Sequence, residues 1–181
     1  MLELEGKTAL VFGVASEDSI AWAICQRLAE AGCNLILGFQ PRYRSRLFQL
    51  KDQLTAIEAF YPCDVASDEQ TKEFFDEWQK ESPGAKADIL VHAIGFAPRD
   101  TFDRHMLFNE MDSIDLAMRV SAHSLQRLMR HAVPYLNPNS STITLTYAAS
   151  TRYVPNYGAV SYTHLRAHET RHDLVCRLLL E

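Results

Sequence analysis

Three tyrosines in the last third of the chain carry side chains that could take part in catalysis. Tyr147 and Tyr157 are ten residues apart, and Tyr153 lies between them. A phenol can donate to a carbonyl oxygen while negative charge develops there, as it does during hydride transfer from a nicotinamide. It does so better beside a cation that lowers its pKa. A tyrosine is also a common packing residue, so a structural role stays open.

A second group of candidate residues follows the short apolar run 8–13. Gly13 ends that run, and Ser19 stands just before a segment with helical spacing. A glycine lets the backbone approach a pyrophosphate closely, and a helix N-terminus offers N–H groups and partial positive charge to it. The G-x-G-x-x-G pattern is absent, so a tight turn followed by an N-cap explains these residues equally well.

Gln40 follows the second apolar run, 34–39, where dinucleotide-binding proteins place the group that contacts the adenosine ribose. Its neutral amide suits the ribose hydroxyls of NADH. Arg42, Arg44 and Arg46 follow closely and could face the 2′-phosphate of NADPH. The alternative is that these arginines form a solvated basic face.

Two further segments follow the third and fourth apolar runs. Asp64 could offer a carboxylate to an adenine amino group, with Val65 as an apolar wall, although Asp64 could equally be a turn residue. The segment 93–97 places Gly95 where the backbone could pass close to a cofactor ribose. All these residues follow predicted strands. Together they are therefore stronger evidence for a dinucleotide site than any one of them is alone.

The elements that would position these residues alternate between strands and helices over the first 160 residues. We predict strands at 8–13, 34–39, within 56–65, at 88–94 and at 141–147, and helices at 20–32, from 67 to about 81 and over about 111–135. Ser67 and Gln70 fit a capping box. This rhythm predicts an α/β fold with a parallel sheet, whose ligands bind beyond the carboxyl ends of the strands.

Length and composition exclude several classes of protein. The 181 residues make about one domain, and 47% hydrophobic with 23% charged residues are ordinary values for a globular chain with a core. A net charge of −5 argues against a general nucleic-acid-binding surface. No apolar run approaches a membrane span, and the N-terminus does not resemble a signal peptide. The four cysteines lack metal-finger spacing, so we interpret them as reduced thiols in a cytoplasmic protein.

Residues 161–181 differ in character from the preceding domain, which we place at 1–160. His168–His172 matches H-E-x-x-H, the zinc-protease signature, and His164 lies four residues earlier. Zinc proteases need a packed scaffold around that helix, and short motifs also arise by chance. We therefore assign no metal site and expect only adventitious metal affinity. We interpret 161–181 as an unrelated tail, for which a sequencing or assembly artefact is one explanation.

Four segments in order resemble the bacterial NADH-dependent enoyl-acyl-carrier-protein reductases, a divergent branch of the short-chain dehydrogenase/reductases. They are residues 13–21 (GVASEDSIA), 63–65 (CDV), 92–98 (HAIGFAP) and 147–157, which begins and ends with tyrosine. The resemblance covers about residues 4–160. It implies a Rossmann-type doubly wound parallel sheet, truncated here after the fifth strand and the start of the following helix.

The same resemblance implies an activity and its partners. The family reduces trans-2-enoyl thioesters carried by acyl carrier protein in fatty-acid elongation, with NADH favoured over NADPH. A homotetramer is implied for the full-length family member. The implied chemistry is hydride delivery from the nicotinamide to the β-carbon of the substrate, with a tyrosine stabilising the enolate at the thioester oxygen.

Site residues are carried over position by position from this resemblance. Family cofactor-binding positions are occupied by Gly13, Ser19, Ile20, Gln40, Asp64, Val65 and Ile94. Ala97 matches a substrate-contacting position in the loop after the fourth strand. Tyr157 matches the catalytic tyrosine, and Tyr147 matches the tyrosine that flanks the enoyl substrate.

Two positions depart from the family pattern. Ala93 replaces the usual serine, which is a mild change. The family spacing Tyr-x6-Lys would place a lysine at position 164, where this chain has His164, and all five lysines lie at or before Lys86. The ammonium that binds ribose and stabilises charge is therefore missing. We expect this polypeptide to be impaired as a catalyst, with a non-catalytic NAD-binding module as the alternative.

Overall fold

The computed structural model describes residues 4–103 and 108–146. Its strands are β1 Thr8–Phe12, β2 Asn34–Phe39, β3 Ile57–Pro62, β4 Ala87–His92 and β5 Leu136–Thr144. Its helices are α1 Ile20–Glu30, α2 Arg44–Lys51, α3 Asp68–Glu81, α4 Asp100–Asp103, α5 Met111–Ser121 and α6 His123–Ala132. Short 3₁₀ turns occupy Pro41–Tyr43 and Val133–Tyr135.

The five strands form one sheet of parallel pairs in the order β3-β2-β1-β4-β5. Helices cover both faces, because alternate side chains of each strand point to opposite sides. Val11 belongs to a buried cluster with residues of α1 and α2, whereas Phe12 belongs to a second cluster with residues of α3 and α6. The predicted α/β, Rossmann-type doubly wound sheet is therefore confirmed.

Local signals in the sequence set the ends of the helices that flank β1 and β3. Ser19 is the N-cap of α1, where its Oγ accepts from the N–H of Trp22 at 3.3 Å. Gly32, with φ of +87°, follows the end of α1, and the N–H of Cys33 donates back to the carbonyl of Leu28 at 3.0 Å. This is a Schellman ending, which favours glycine because L side chains rarely adopt that φ.

The structure corrects the prediction of one helix over 111–135. The helix is broken at Ala122, whose φ of −106° departs from helical values, and α5 and α6 lie on either side of it. No glycine or proline marks the break. Instead, the Oγ of Ser124 donates to the carbonyl of Val120 at 2.5 Å, a bond to the preceding turn that bends helices.

Two other elements differ from the predictions. Strand β5 begins at Leu136 instead of 141, and Asn139, with φ of +64°, lies within it where the pairing with β4 is irregular. Helix α2 was not predicted, because Leu47 and Leu50 are its only buried residues and its other residues, including Phe48, are exposed. Within the described part of the chain, no helix combines the length and apolar character needed to cross a bilayer.

Candidate functional site

An open cavity of about 360 Å³ lies at the carboxyl ends of strands β1 to β4. This volume is within the roughly 300–1,000 Å³ of ordinary ligand sites. The cavity lies where the sheet order reverses between β1 and β4, the usual ligand position in open parallel sheets. Its wall is formed by Gly13, Val14, Ala15, Gly38, Gln40, Arg42, Tyr43, Cys63, Asp64, Val65, Ala66, Ala93, Ile94, Gly95, Phe96, Leu116 and Val120.

The cavity brings together five of the seven residues assigned to cofactor binding. They are Gly13, Gln40, Asp64, Val65 and Ile94, which come from the ends of four different strands. Ser19 and Ile20 lie at the start of α1, and Ala97 lies in the loop after β4, outside this wall. Tyr147, Tyr157 and the segment 161–181 with its H-E-x-x-H motif lie outside the described residues.

Gly13 lines the cavity where two segments of the chain approach each other closely. Its φ is +115°, and a Cβ at this position would lie 2.1 Å from the carbonyl oxygen of Ala93. The N–H of Ala93 donates to the carbonyl of Phe12 at 2.9 Å, so the loop after β4 is held against the end of β1. Glycine is thus required by the close approach of these two segments.

Asp64 is held in a fixed turn at the end of β3. Its backbone N–H donates to Oε1 of Gln70 at 3.1 Å, and its Oδ1 accepts from the N–H of Ala66 at 3.0 Å. Within residues 4–103 and 108–146, Oδ2 accepts no hydrogen bond. Asp64 is therefore both a turn residue and an available acceptor in the cavity, and the two interpretations of the sequence are compatible.

The wall beside Asp64 is apolar. Val65 is buried, and Cys63 is buried with it at the end of β3. Burial raises the pKa of the Cys63 thiol to about 12, although a hydrogen bond with Thr71 opposes the shift. The thiol is therefore neutral at physiological pH. A flat aromatic ring could lie against this wall while an amino group reaches the Asp64 carboxylate.

One of the three arginines after β2 lies on the cavity wall. Arg42 lines it beside Gln40, and its guanidinium carbon is 4.7 Å from the centroid of the Tyr43 ring. Arg44 instead lies 5.6 Å from the ring of Phe48, and Arg46 is exposed. The end of the cavity at β2 is thus neutral to basic, which suits ribose hydroxyls and tolerates a phosphate.

The loop after β4 and helix α5 close the other end of the cavity. The N–H of Phe96 donates to Oγ of Ser121 at 2.9 Å, and the same hydroxyl donates to the carbonyl of Phe96 at 2.9 Å. Leu116 and Val120 extend this wall from α5. Ser121 and these two side chains were not predicted as site residues, because their only signal in the sequence is a helical spacing that does not indicate which loop they meet.

His92, the last residue of β4, is fully buried. Its Nε2 lies 2.8 Å from Oγ of Ser124 and its Nδ1 lies 2.9 Å from Oγ1 of Thr144. Because the Ser124 hydroxyl donates to the carbonyl of Val120, it must accept from Nε2–H, and Nδ1 then accepts from Thr144. Burial lowers the pKa of His92 to about 4, so the ring is neutral and ties β4 to β5 and α6.

Within residues 4–103 and 108–146, no three His, Cys, Asp or Glu side chains are grouped as metal ligands. The three cysteines found there, Cys25, Cys33 and Cys63, are buried free thiols. The cavity offers hydrogen bonding and apolar contact, and its charged side chains are the Asp64 carboxylate and the exposed Arg42 guanidinium.

A family model and a set of curated relatives match this chain in sequence. The family model described as Enoyl-(Acyl carrier protein) reductase matches residues 13–168. The enoyl-[acyl-carrier-protein] reductase [NADH] FabI of Nostoc sp. is 35% identical over 164 residues, which are 88% of this chain and 62% of that protein. The chain thus spans less than two thirds of the length of this relative.

Two solved structures share the fold of this chain and align with most of its length. The enoyl-[acyl-carrier-protein] reductase (NADH) of Aquifex aeolicus superposes with a TM-score of 0.83 at 30% identity, covering 90% of this chain and 64% of that one. The Bacillus cereus enoyl-acyl carrier protein reductase, solved with NADP+ and an indole naphthyridinone, gives a TM-score of 0.83 at 34% identity, covering 91% and 65%. With the family model matching most of its length, the chain belongs to the enoyl-(acyl carrier protein) reductase family.

Proposed function

We propose that this chain binds NADH in the cavity and forms the cofactor-binding part of an NADH-dependent enoyl-acyl-carrier-protein reductase. One observation carries the proposal: residues from four strand ends, including Gly13, Gln40, Asp64 and Ile94, line a single cavity at the reversal of strand order. Relatives named as NADH-dependent reductases support the choice of cofactor. Since the chain spans 62% of the Nostoc relative, the activity belongs to the proposal.

The residues present fit the two halves of a dinucleotide. Asp64 and Val65 would hold the adenine, and Gln40 would accept from or donate to the adenosine ribose hydroxyls. Gly13, with Ser19 and Ile20 at the start of α1, would lie beside the pyrophosphate, which favours helix N-termini. The backbone around Ile94 would border the nicotinamide ribose.

The substrate we propose is a trans-2-enoyl thioester presented by acyl carrier protein during fatty-acid elongation. Bound NADH supplies the hydride that reduces its β-carbon. Ala97 would contact the acyl group, and Tyr147 would flank it. Tyr157 would donate to the thioester oxygen and so stabilise the enolate that forms there. A cytoplasmic homotetramer is proposed for the full-length protein by analogy with the family.

His164 favours a second candidate function, that of a NAD-binding module without robust catalysis. A lysine ammonium at this position would bind ribose and lower the pKa of the tyrosine, whereas the histidine side chain is shorter and has no ammonium group. The two functions share nucleotide binding and differ only in turnover. The carbonyl reductases of the wider superfamily are disfavoured, because Tyr153 is followed four residues later by Tyr157 and not by lysine.

A fluorescence titration of the purified 181-residue chain with NADH tests the shared step. We expect saturable binding, because it requires the four strand ends to be assembled. Absence of saturable binding would remove both candidate functions. Adding a 2-enoyl thioester and following the absorbance of NADH then separates them, with acetoacetyl thioester as the comparison for carbonyl reduction.

A further inference from the structure

The loop between β4 and α4 lines the cavity but contains no regular secondary structure. It comprises residues 93–98, and Ala93, Ile94, Gly95 and Phe96 contribute to the wall. Backbone bonds fix its start, where the N–H of Ala93 donates to Phe12. Its end is fixed where the carbonyl of Pro98 accepts from the N–H of Thr101 at 3.0 Å. The middle of the loop needs another anchor to keep one conformation.

That anchor is the side chain of Ser121. Among the described residues, the hydrogen bonds that hold residues 94–97 are the two that Ser121 makes with Phe96, each 2.9 Å long. One hydroxyl accepts from the Phe96 N–H and donates to the Phe96 carbonyl, which uses the donor and one acceptor site of the serine. Ser121 is 0% exposed, so water does not compete for these bonds.

The position of Ser121 in the fold explains why its hydroxyl reaches the loop. It is the last residue of α5, directly before the break at Ala122. In the next turn, Ser124 bonds to His92 at the end of β4. The junction of α5 and α6 therefore contacts β4 at its last residue and again four residues later in the loop, which fixes the loop relative to the sheet.

We propose that Ser121 is a positioning residue for the nicotinamide half of the bound dinucleotide. It acts by holding the Phe96 backbone, and through it Ile94 and Gly95, at the end of the cavity formed by β4. This inference rests on the proposed function, because one end of the cavity can be assigned to the nicotinamide half and the other to the adenosine half only if a dinucleotide binds there. Gln40 and Asp64, which would hold the adenosine half, follow β2 and β3 on the other side of β1.

The proposal predicts an effect on one end of the ligand only. Without the hydroxyl, the Phe96 N–H and carbonyl lose their partner and the loop gains conformational freedom, which binding of the nicotinamide half must then remove. Adenosine 5′-monophosphate carries only the adenosine half and does not need the loop to be ordered. A serine with a purely structural role would alter the affinity for both ligands together.

Calorimetric titration of the full chain with NADH and with adenosine 5′-monophosphate tests this. For Ser121→Ala we expect the Kd for NADH to rise about tenfold and the Kd for the monophosphate to stay within about twofold. Thr142→Val is the matched control: it removes another buried hydroxyl, which lies on β5 and donates to Sδ of Met129 at 3.4 Å, away from the loop. This control should change neither Kd.

Each outcome bears on the proposal. Equal changes in both Kd values, or no change in either, would overturn the role of Ser121 and leave the proposed function intact. Failure of the unmodified chain to bind either ligand would overturn both. If Ser121→Ala does not fold, as its melting curve would show, Ser121→Cys keeps the shape of the side chain, with a slightly larger and more weakly donating group. That variant should weaken NADH binding selectively by about threefold or more.

Discussion

At the scale of single residues, Asp64 is the acceptor whose surroundings are best defined. Its Oδ1 is used by the N–H of Ala66, whereas its Oδ2 is available in the cavity. Asp64→Asn keeps an oxygen for Ala66 but places an amide NH₂ where the ligand amino group would be. We expect the Kd for NADH to rise about tenfold, since a charge-assisted hydrogen bond is replaced by two opposed donors. Fluorescence titration measures this change.

Glu58→Gln serves as the control for that variant, because Glu58 is an exposed carboxylate on β3, the strand that Asp64 follows, and does not line the cavity. Both substitutions remove one negative charge from the chain. If both weaken NADH binding equally, net charge explains the effect and Asp64 is not a ligand.

We expect Arg42 to influence how well the cavity accepts a 2′-phosphate. Of Arg42, Arg44 and Arg46, Arg42 is the one that lines the cavity, where it lies beside the neutral Gln40. We expect the chain to bind NADH more tightly than NADPH. Arg42→Gln should raise the Kd for NADPH a further fivefold to about tenfold and leave that for NADH within about twofold. Arg46→Gln, which changes an exposed arginine outside the wall, should alter neither, and a loss of NADPH binding in that variant alone would contradict the assignment.

At the scale of elements, the buried His92 links β4 to β5 and α6 and makes their packing sensitive to acid. Its pKa falls from the usual 6.5 to about 4 on folding because burial disfavours the charged ring. Between these values the unfolded chain binds a proton that the folded chain does not, so stability falls as the pH falls through this window. The loss between pH 6.5 and pH 4 is roughly 3 kcal/mol.

Urea unfolding at a series of pH values measures that loss, and His92→Gln is the informative variant. A glutamine does not titrate, so the variant should be less stable than the unmodified chain at pH 7 but should lose less stability on acidification. Parallel curves for the two proteins would show that other groups cause the acid sensitivity.

Elements were predictable where local patterns and tertiary packing agree. The strands β1, β2 and β4 are continuous apolar runs because helices cover both of their faces, and Ser19 and Gly32 mark the ends of α1 directly. The break between α5 and α6 was not predictable, because it accompanies a bond from Ser124 to Val120 and contact with the distant His92. Packing with residues far apart in the chain decides such features.

The candidate site shows the same division. Gly13, Gln40 and Asp64 each follow a strand. The order of the elements therefore predicted that they would lie together at the carboxyl edge of the sheet. The predicted capping box is half present: the hydroxyl of Ser67 accepts from the N–H of Gln70, but the Gln70 side chain contacts Asp64. Ser121 gave no signal, since a buried serine at the end of a helix looks like any other until its partner loop is known.

At the scale of the whole molecule, we expect nucleotide binding and catalytic turnover to depend on different parts of the chain. The cavity depends on strands β1 to β4, whose last residue is His92, and these lie within the described part of the chain. The residues proposed to act on the substrate come later, at positions 147, 157 and 164. Nucleotide binding therefore tests the assembled sheet, whereas reduction of a thioester tests the segment that follows β5.

We expect the 181-residue chain to bind NADH and yet to reduce a 2-enoyl thioester at least about a hundredfold more slowly than a full-length relative. We expect this because, in the proposed mechanism, a lysine ammonium would act with the phenol of Tyr157 to stabilise the enolate, and this chain has His164 at the position of that lysine. Consumption of NADH with a 2-enoyl thioester measures the rate, with the Bacillus cereus reductase as the reference. Robust consumption by the unmodified chain would contradict the requirement for lysine. His164→Lys isolates the cause, because a rate gain that His168→Lys does not reproduce would assign the deficit to this one position.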